Sequence, residues 1–169
     1  MAMYMDIANI PGESKSPVGN WREKIELLSM GYDVMQPTSM QAGGGLLASA
    51  SSFGAMQITK AMDKSSPLLF GKLAGGEPIQ TVTIRVSRPG GSGTGPQGGL
   101  FEAETFTLTN VIVTSYHTGG APGPGGLPVE SWSLAFTAIT ELYNAVDVLG
   151  NLLPPQQAGY DIAAAHTQM

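Results

Sequence analysis

Two glutamates and two histidines are the residues of this sequence whose chemistry depends most on their spacing. Glu102 and Glu104 stand two apart in a strand-like run, so we expect them on one face, where paired carboxylates could serve acid/base chemistry. Catalytic carboxylates usually oppose each other across a groove, which favours a solvated strand face instead. His117 and His166 are the only histidines and cysteine is absent, so we expect no metal site.

A glycine-rich motif and the serines complete the candidates for catalysis. Residues 93–98, GTGPQG, have the spacing of a loop that holds a pyrophosphate at a helix N-terminus. The next segment is strand-like and Pro96 lacks a backbone N–H, so we interpret the motif as a flexible loop without a cofactor. No GxSxG nucleophile elbow supports a serine triad. The sequence therefore predicts a protein that is not an enzyme.

The charge balance limits the possible partners. The chain has 169 residues, with 8 Lys and Arg against 13 Asp and Glu, a net charge of -5, and only 12% charged residues. Soluble domains usually carry about 25% charged residues, so much of this surface must be uncharged. An acidic chain without a basic run offers no attraction to phosphate backbones or anionic lipids. We expect no nucleic acid partner.

Export and membrane signals are also weak. The first residues, MAMYMDIANIP, lack a basic start and carry Asp6 inside the apolar run, so we expect no cleavable signal peptide. Nowhere do about 18 apolar residues run together, and we expect no membrane insertion.

Alternating apolar and polar residues predict a protein built of strands. At 80–87, Val82, Ile84 and Val86 share one face, and the run at 131–138 repeats the pattern. The run at 23–36 is predicted as one strand with Leu28 on its apolar face and Leu27 on its wet face. Further predicted strands lie at 3–10, 55–61, 101–109 and 110–117.

One helix is predicted at 67–74. Ser66 is placed to accept a hydrogen bond from the first free backbone N–H groups, Pro67 suits the first turn, and Gly75 and Gly76 supply a left-handed stop. A strand-rich chain with one short helix favours an all-β sandwich or barrel whose helix covers an edge or an open end. Crossover helices for a parallel sheet are missing.

Several segments resemble the Hcp (haemolysin-coregulated) proteins of bacterial type VI secretion, over roughly residues 3–146. The matching segments are GES at 12–14, IELLSMGYDVMQP at 25–37, ITKAMDKSSPLLF at 58–70, FTLTNVIVTSYHTGG at 106–120 and ESWSLAFTAI at 130–139. The resemblance implies a small β-barrel of two antiparallel sheets with one flanking helix. It also implies homohexameric rings that stack into the inner tube of the secretion system.

The resemblance further implies the partners and the location. They are other copies of the chain, a spike protein, a contractile sheath and effector proteins, with assembly in the bacterial cytoplasm followed by secretion. The tube domain is expected at 1–147, and 148–169 is expected as a C-terminal tail that could be flexible, because nothing in it matches the family. The stretch at 89–99 is longer and richer in glycine than the family's turn.

Candidate contact residues follow from the resemblance and from residue type. By similarity, Ser29, Gly31 and Asp33 are expected to face the lumen of the tube. Methionine adapts to irregular apolar surfaces and tryptophan anchors interfaces, which indicates ring or stacking contacts. The residues predicted for those contacts are Trp21, Met35, Met40, Gly43, Gly44 and Gly45.

Two other interpretations remain open from the sequence. One is a tail-tube subunit of a phage-like contractile particle, which uses the same ring and stack. The other is a monomeric β-sandwich that binds a sugar or peptide, which clustered exposed aromatic residues in a concave patch would favour.

Overall fold

The computed structural model describes residues 1–16, 21–89, 100–122, 124–149 and 151–168. In the described ranges it contains fourteen strands, one α-helix, α1 (Ser66–Gly75), and a short 3-10 helix at Pro124–Gly126. The strands are β1 (Ala2–Ile7), β2 (Ile25–Leu27), β3 (Ser29–Gly31), β4 (Val34–Met35), β5 (Thr38–Gln41), β6 (Gly45–Ala48), β7 (Ser52–Phe53), β8 (Met56–Ala61), β9 (Ile79–Pro89), β10 (Leu100–Pro122), β11 (Pro128–Ala135), β12 (Ala138–Tyr143), β13 (Gln156–Asp161) and β14 (His166–Gln168).

Two antiparallel sheets share the long strand β10. The first sheet has the order β2-β1-β9-β10-β12-β13-β14, and the second has the order β10-β11-β8-β3. The predictions for 101–109 and 110–117 merge into this one strand, which passes between the sheets near Asn110, a residue with a positive φ of 54°. The predicted fold class, a two-sheet barrel with a flanking helix, is confirmed.

The barrel closes where the chain crosses from one sheet to the other between β2 and β3. The Leu28 backbone N–H donates to the Thr59 carbonyl at 2.8 Å, so the edges of both sheets are joined there. This crossing corrects the single strand predicted at 23–36. Leu27 is buried and Leu28 is exposed, the reverse of the prediction, because the crossing resets the alternation of faces.

The core lies between the two sheets, as the alternation at 80–87 predicted. Val82, Ile84 and Val86 all point inward and are buried. The run at 131–138 is interrupted, since β11 ends at Ala135 and β12 begins at Ala138. Other members of the core are Met5, Ile25, Met56, Leu69, Leu108, Trp132 and Leu134.

Helix α1 begins one residue earlier than predicted. Its N-cap is Ser65, which makes no capping bond through its side chain, and Ser66 uses its hydroxyl in a buried network instead of capping the helix. The predicted stop is confirmed, since Gly76 has a φ of 62° and its N–H donates to the Leu73 carbonyl at 3.2 Å.

The C-terminal segment is part of the first sheet, which corrects the division at residue 147. Strand β13 pairs with β12 along its whole length, from Ala138↔Asp161 to Tyr143↔Gln156. The three strands β12, β13 and β14 extend the sheet beyond the barrel and are called the wing below. The predicted tail therefore includes the strand pair β13–β14.

Candidate functional site

The outer surface of the second sheet carries a ladder of hydroxyl and amide groups. Ser29 and Thr59 share a hydrogen bond of 2.6 Å between their hydroxyls, across β3 and β8. Ser133 on β11 donates to Gln57 Oε1 at 2.6 Å, and Ser115 on β10 donates to Ser133 at 2.6 Å. Cross-strand pairs of this kind stabilise the sheet.

This outer surface, called the hydroxyl face, is small and uncharged. Because side chains alternate along a strand, the outward positions follow from the buried ones. In strands β3, β8 and β11, and in the part of β10 that pairs with β11 (residues 112–118), no outward position carries Asp, Glu, Lys or Arg. The hydroxyl face consists of Ser29, Gly31, Gln57, Thr59, Ser115, His117, Ser131 and Ser133.

The structure separates the three residues expected at the lumen. Ser29 and Gly31 lie on the hydroxyl face, and a side chain added at Gly31 would meet open space. Asp33 lies beyond the end of β3, where its carbonyl accepts from the Gly54 N–H at 2.9 Å. The sequence reasoning missed Gln57 and Ser133, whose place on this face depends on strand pairing.

A long hairpin projects from the barrel and is called the arm, residues 34–53. Its base is the pair β4–β7 and its outer part is the pair β5–β6, in which every residue is exposed. Met35, Met40 and the predicted glycines all lie in it, and Gly43 and Gly44 form the turn with φ values of 119° and 90°. Met40 is 82% exposed.

Two leucines of the arm were not predicted as contact residues. Leu46 and Leu47 follow the glycine turn and are 70% and 52% exposed. A second exposed apolar set, in the segment assigned to a tail, consists of Val148, Leu149, Leu152 and Leu153. In both places the sequence has neighbouring apolar residues directly beside a glycine, and this pattern could have indicated an exposed apolar surface.

Trp21 has a different place from the one predicted. Its side chain has no exposed surface, it stacks on Tyr4 with ring centroids 5.4 Å apart, and its Nε1 donates to Glu102 at 3.2 Å. A fully enclosed side chain has no surface to offer a second copy, so in this conformation Trp21 is a core residue.

Glu102 and Glu104 lie on opposite faces of β10, so the expectation of a shared face is wrong. A β-bulge between them pairs Glu102 with Ser87 and Glu104 with Val86, which are neighbours of opposite orientation on β9. Glu102 faces Arg85, with 3.5 Å between its Oε1 and the Arg85 Nε. The two carboxylates therefore cannot act as a pair.

Glu104 instead meets Glu141, beside Tyr32. The Tyr32 hydroxyl donates to Glu141 Oε2 at 3.0 Å. Burial, that hydrogen bond and the charges of Glu141 and Glu104 raise the pKa of Tyr32 to about 12. Burial and the neighbouring Glu141 also raise the pKa of Glu104 above its usual value. This cluster lies at the base of the arm.

A buried ion pair lies on the inner side of the second sheet. Lys60 and Glu130 have no exposed side-chain surface, and their Nζ and Oε2 atoms are 3.0 Å apart. Lys60 also contacts Asp63 Oδ1 at 2.8 Å and Ser66 Oγ at 2.8 Å, and Ser66 donates to Glu130 at 2.7 Å. Tyr116 donates to Glu130 Oε1 at 3.1 Å. The network ties α1 to β8, β10 and β11.

Three of the sequence segments that resembled Hcp, 58–70, 106–120 and 130–139, meet at this network, and GES adjoins it. Asp63 and Ser66 come from DKSSP and Glu130 from ESW. Glu13 of GES accepts from the Lys64 backbone N–H at 3.0 Å. A Cβ at Gly12 would overlap the backbone of residues 24 and 25, so only glycine fits there. Segments far apart in the chain therefore form one structural unit.

The remaining candidates for chemistry stay apart in the structure. His117 is exposed on the hydroxyl face, opposite Ser131. No group of three or more His, Asp and Glu in the described residues could hold a metal ion. The motif at 93–98, like the whole stretch 90–99, lies outside the described residues. Among the residues that the structure describes, no helix is both long enough and apolar enough to cross a bilayer.

These features define a small antiparallel β-barrel with an uncharged outer face, a projecting arm and an added wing. The chain belongs to the Hcp family of type VI secretion: the family model described as "Type VI secretion system effector, Hcp" matches residues 4–143. That membership supports a role as a tube protein of the secretion system. A search of curated proteins found no match.

Solved structures share the fold across the chain. A type six secretion system protein aligns with a TM-score of 0.86 and 22% identity, covering 99% of each chain. Hcp1 from Salmonella typhimurium aligns with a TM-score of 0.74 and 24% identity, covering 99% of this chain and 98% of its own. A type VI secretion system effector from Yersinia pestis aligns with a TM-score of 0.68 and 24% identity, covering 94% of this chain and 98% of its own. At 99% coverage of this chain, the first two alignments include the wing.

Proposed function

We propose that six copies of this chain close into a ring and that the rings stack into the inner tube of a type VI secretion system. The tube is assembled in the cytoplasm and then secreted with a spike protein, driven by a contractile sheath. Effector proteins travel in its lumen. The role is structural, and the chain performs no catalysis.

The observation that carries this proposal is the arm. A two-stranded hairpin alone is marginally stable in water, and this one exposes Met40, Leu46 and Leu47 at its outer part. Covering such a surface by another copy would stabilise both the hairpin and the assembly. In a ring the contact is heterologous, so the arm of each copy meets a different surface of the next.

The hydroxyl face supports the placement of the lumen. A wall without charged side chains cannot hold a passing protein by ion pairs, and hydroxyl groups already bonded to each other offer few free donors. Effectors of varied charge would therefore move along this face without strong retention. We assign Ser29 and Gly31, but not Asp33, to the wall of the lumen.

The test combines mass in solution with images of the particle. Light scattering at high protein concentration and negative-stain images should show rings, and a stable monomer of 17.5 kDa under all buffers would refute the proposal. Gly31→Trp adds a large side chain in open space on the hydroxyl face, while Gly71→Trp does the same on the exposed helix α1. Both variants should fold.

The two variants then locate the face within the ring. Averaged images of Gly31→Trp should show added density on the inner wall and a narrower channel, with the ring intact. The matched Gly71→Trp should leave the channel unchanged. Added density on the outside of the ring for Gly31→Trp, or loss of rings, would contradict the placement of the hydroxyl face.

A further inference from the structure

The arm depends on its base for its direction. Every residue of β5 and β6 is exposed, so the outer hairpin packs on nothing in the described part of the chain. The base is the two-residue pair β4–β7, with Val34 opposite Phe53 and Met35 opposite Ser52. So short a pair cannot set an orientation alone, and other contacts must hold it.

The first of those contacts comes just before β4. The Tyr32 hydroxyl donates a hydrogen bond to Glu141 Oε2 on β12 at 3.0 Å. Its ring meets Phe106 edge to face, with centroids 5.9 Å apart and an interplanar angle of 73°. The chain that enters the arm is therefore held by the wing and by the barrel strand next to it.

The second contact comes from the strand that leaves the arm. Phe53 on β7 stacks on Tyr160 of β13, with centroids 5.0 Å apart and an interplanar angle of 23°. It also meets Phe136, which lies just before β12, at 6.5 Å. Both ends of the arm thus contact the wing, and the second end contacts strand β13.

The two ends are also tied to each other. The Gly54 N–H donates to the Asp33 carbonyl at 2.9 Å, and a Cβ on Gly54 would overlap the Asp33 carboxylate. The two ends of the arm are therefore joined at the base. Strand β13 is itself held by its full pairing with β12, and the Ile162 N–H donates to the Thr137 carbonyl at 2.8 Å.

We infer that the wing strand β13 is a positioning element for the arm, acting through the stack of Tyr160 on Phe53, and that ring assembly depends on it. This inference rests on the proposed function, in which the arm contacts another copy. Tyr160 need not touch that copy, since its effect passes through the orientation of the arm base.

The experiment compares Tyr160→Ala with two matched variants. Tyr160→Phe keeps the stacking ring, and Tyr143→Ala removes a tyrosine of the same wing that touches Arg88 and not the arm. Phe53→Leu removes the same stack from the arm side while keeping apolar bulk. Hydrogen–deuterium exchange of peptides from 34–53 is measured in dilute monomer, and the ring fraction is measured at high concentration by sedimentation velocity.

Tyr160→Ala and Phe53→Leu should speed exchange in the arm by roughly two- to ten-fold, the range expected for losing one aromatic stack. They should also lower the ring fraction, whereas Tyr160→Phe and Tyr143→Ala should match the parent chain in both measurements. Unchanged exchange in both Tyr160→Ala and Phe53→Leu would overturn the inference.

Failure of this inference differs from failure of the proposed function. If the parent chain forms no rings while the exchange still responds to Tyr160→Ala, the proposed assembly is refuted, and with it the dependence of assembly on β13. If rings form equally well in Tyr160→Ala despite faster exchange in the arm, the proposed assembly stands and the inference is overturned.

Discussion

Replacing Lys60 by methionine tests how much the buried network contributes to the fold. Methionine keeps the unbranched apolar stem and removes only the ammonium. The Glu130 carboxylate then stays fully buried with hydrogen-bond donors from Ser66, Tyr116 and Trp132, but without its cation. Asp63, 13% exposed, loses the same partner.

The magnitude follows from the burial of both groups. Removing one partner of a buried ion pair costs about 3–5 kcal/mol, because the remaining charge is left uncompensated. The three remaining donors to Glu130 place the expected loss near the lower end, about 3 kcal/mol. For a chain of this size, that lowers Tm by roughly 6–12 °C.

The assay is thermal unfolding followed by circular dichroism at one fixed chain concentration, because self-association also shifts Tm. Lys72→Met is the matched control. Lys72 makes a closer contact to Glu77, 2.6 Å between Nζ and Oε2, but this pair lies in solvent, where ion pairs contribute little to stability. The Tm of Lys72→Met should therefore fall much less than that of Lys60→Met.

A double variant separates the ion pair from the loss of packing. Glu130→Gln removes the second charge and keeps an oxygen that can accept hydrogen bonds. In Lys60→Met/Glu130→Gln no unpaired Glu130 charge remains, so the double variant should be more stable than the two single losses added together. Equal losses for Lys60→Met and Lys72→Met, or strict additivity in the double variant, would refute the reasoning.

Two further substitutions test the carboxylate cluster and the glycine of the GES segment. Glu104→Gln should raise Tm by roughly 1–4 °C at pH 7–8, since the raised pKa of Glu104 means that its charged form is disfavoured in the fold. The parent chain gains stability as the pH falls through that raised pKa, so the difference in Tm between Glu104→Gln and the parent chain should fade below about pH 4. A Tm difference that stays constant across pH in thermal scans would contradict this prediction. Gly12→Ala should cost about 1–3 kcal/mol in denaturant unfolding, because the added methyl overlaps the backbone at residues 24 and 25. Gly71→Ala, in open space on α1, should be neutral or stabilising by up to about 1 kcal/mol, and equal effects at the two glycines would show that close approach is not the cause.

Much of the fold could be predicted because local patterns carry it. The strict alternation of Val82, Ile84 and Val86 indicates a half-buried strand without any knowledge of its partners. Gly76 ends the helix because a left-handed residue there costs glycine little. The segments that resemble the Hcp family could also be recognised in the sequence, and all of them lie within residues 4–143, which the family model matches.

The errors of the sequence reasoning have common physical causes. Glu102 and Glu104 were placed on one face because alternation assumes an unbroken ladder, and a bulge breaks it. The buried and exposed positions of Leu27 and Leu28 were predicted in reverse, because the chain passes from one sheet to the other between β2 and β3. Trp21 was assigned to an interface because residue type alone does not reveal burial.

The amino-acid sequence by itself determined the class of fold, the absence of cysteine chemistry and the membership of the family, because composition, alternation and short motifs are local properties. Only the tertiary structure decided that Lys60 and Glu130 form a buried pair, that the hydroxyl face is uncharged, and that Tyr160 supports the arm. Each of these depends on strand register and on contacts between residues distant in the chain, and a shift of one residue in register would reverse which side chains meet.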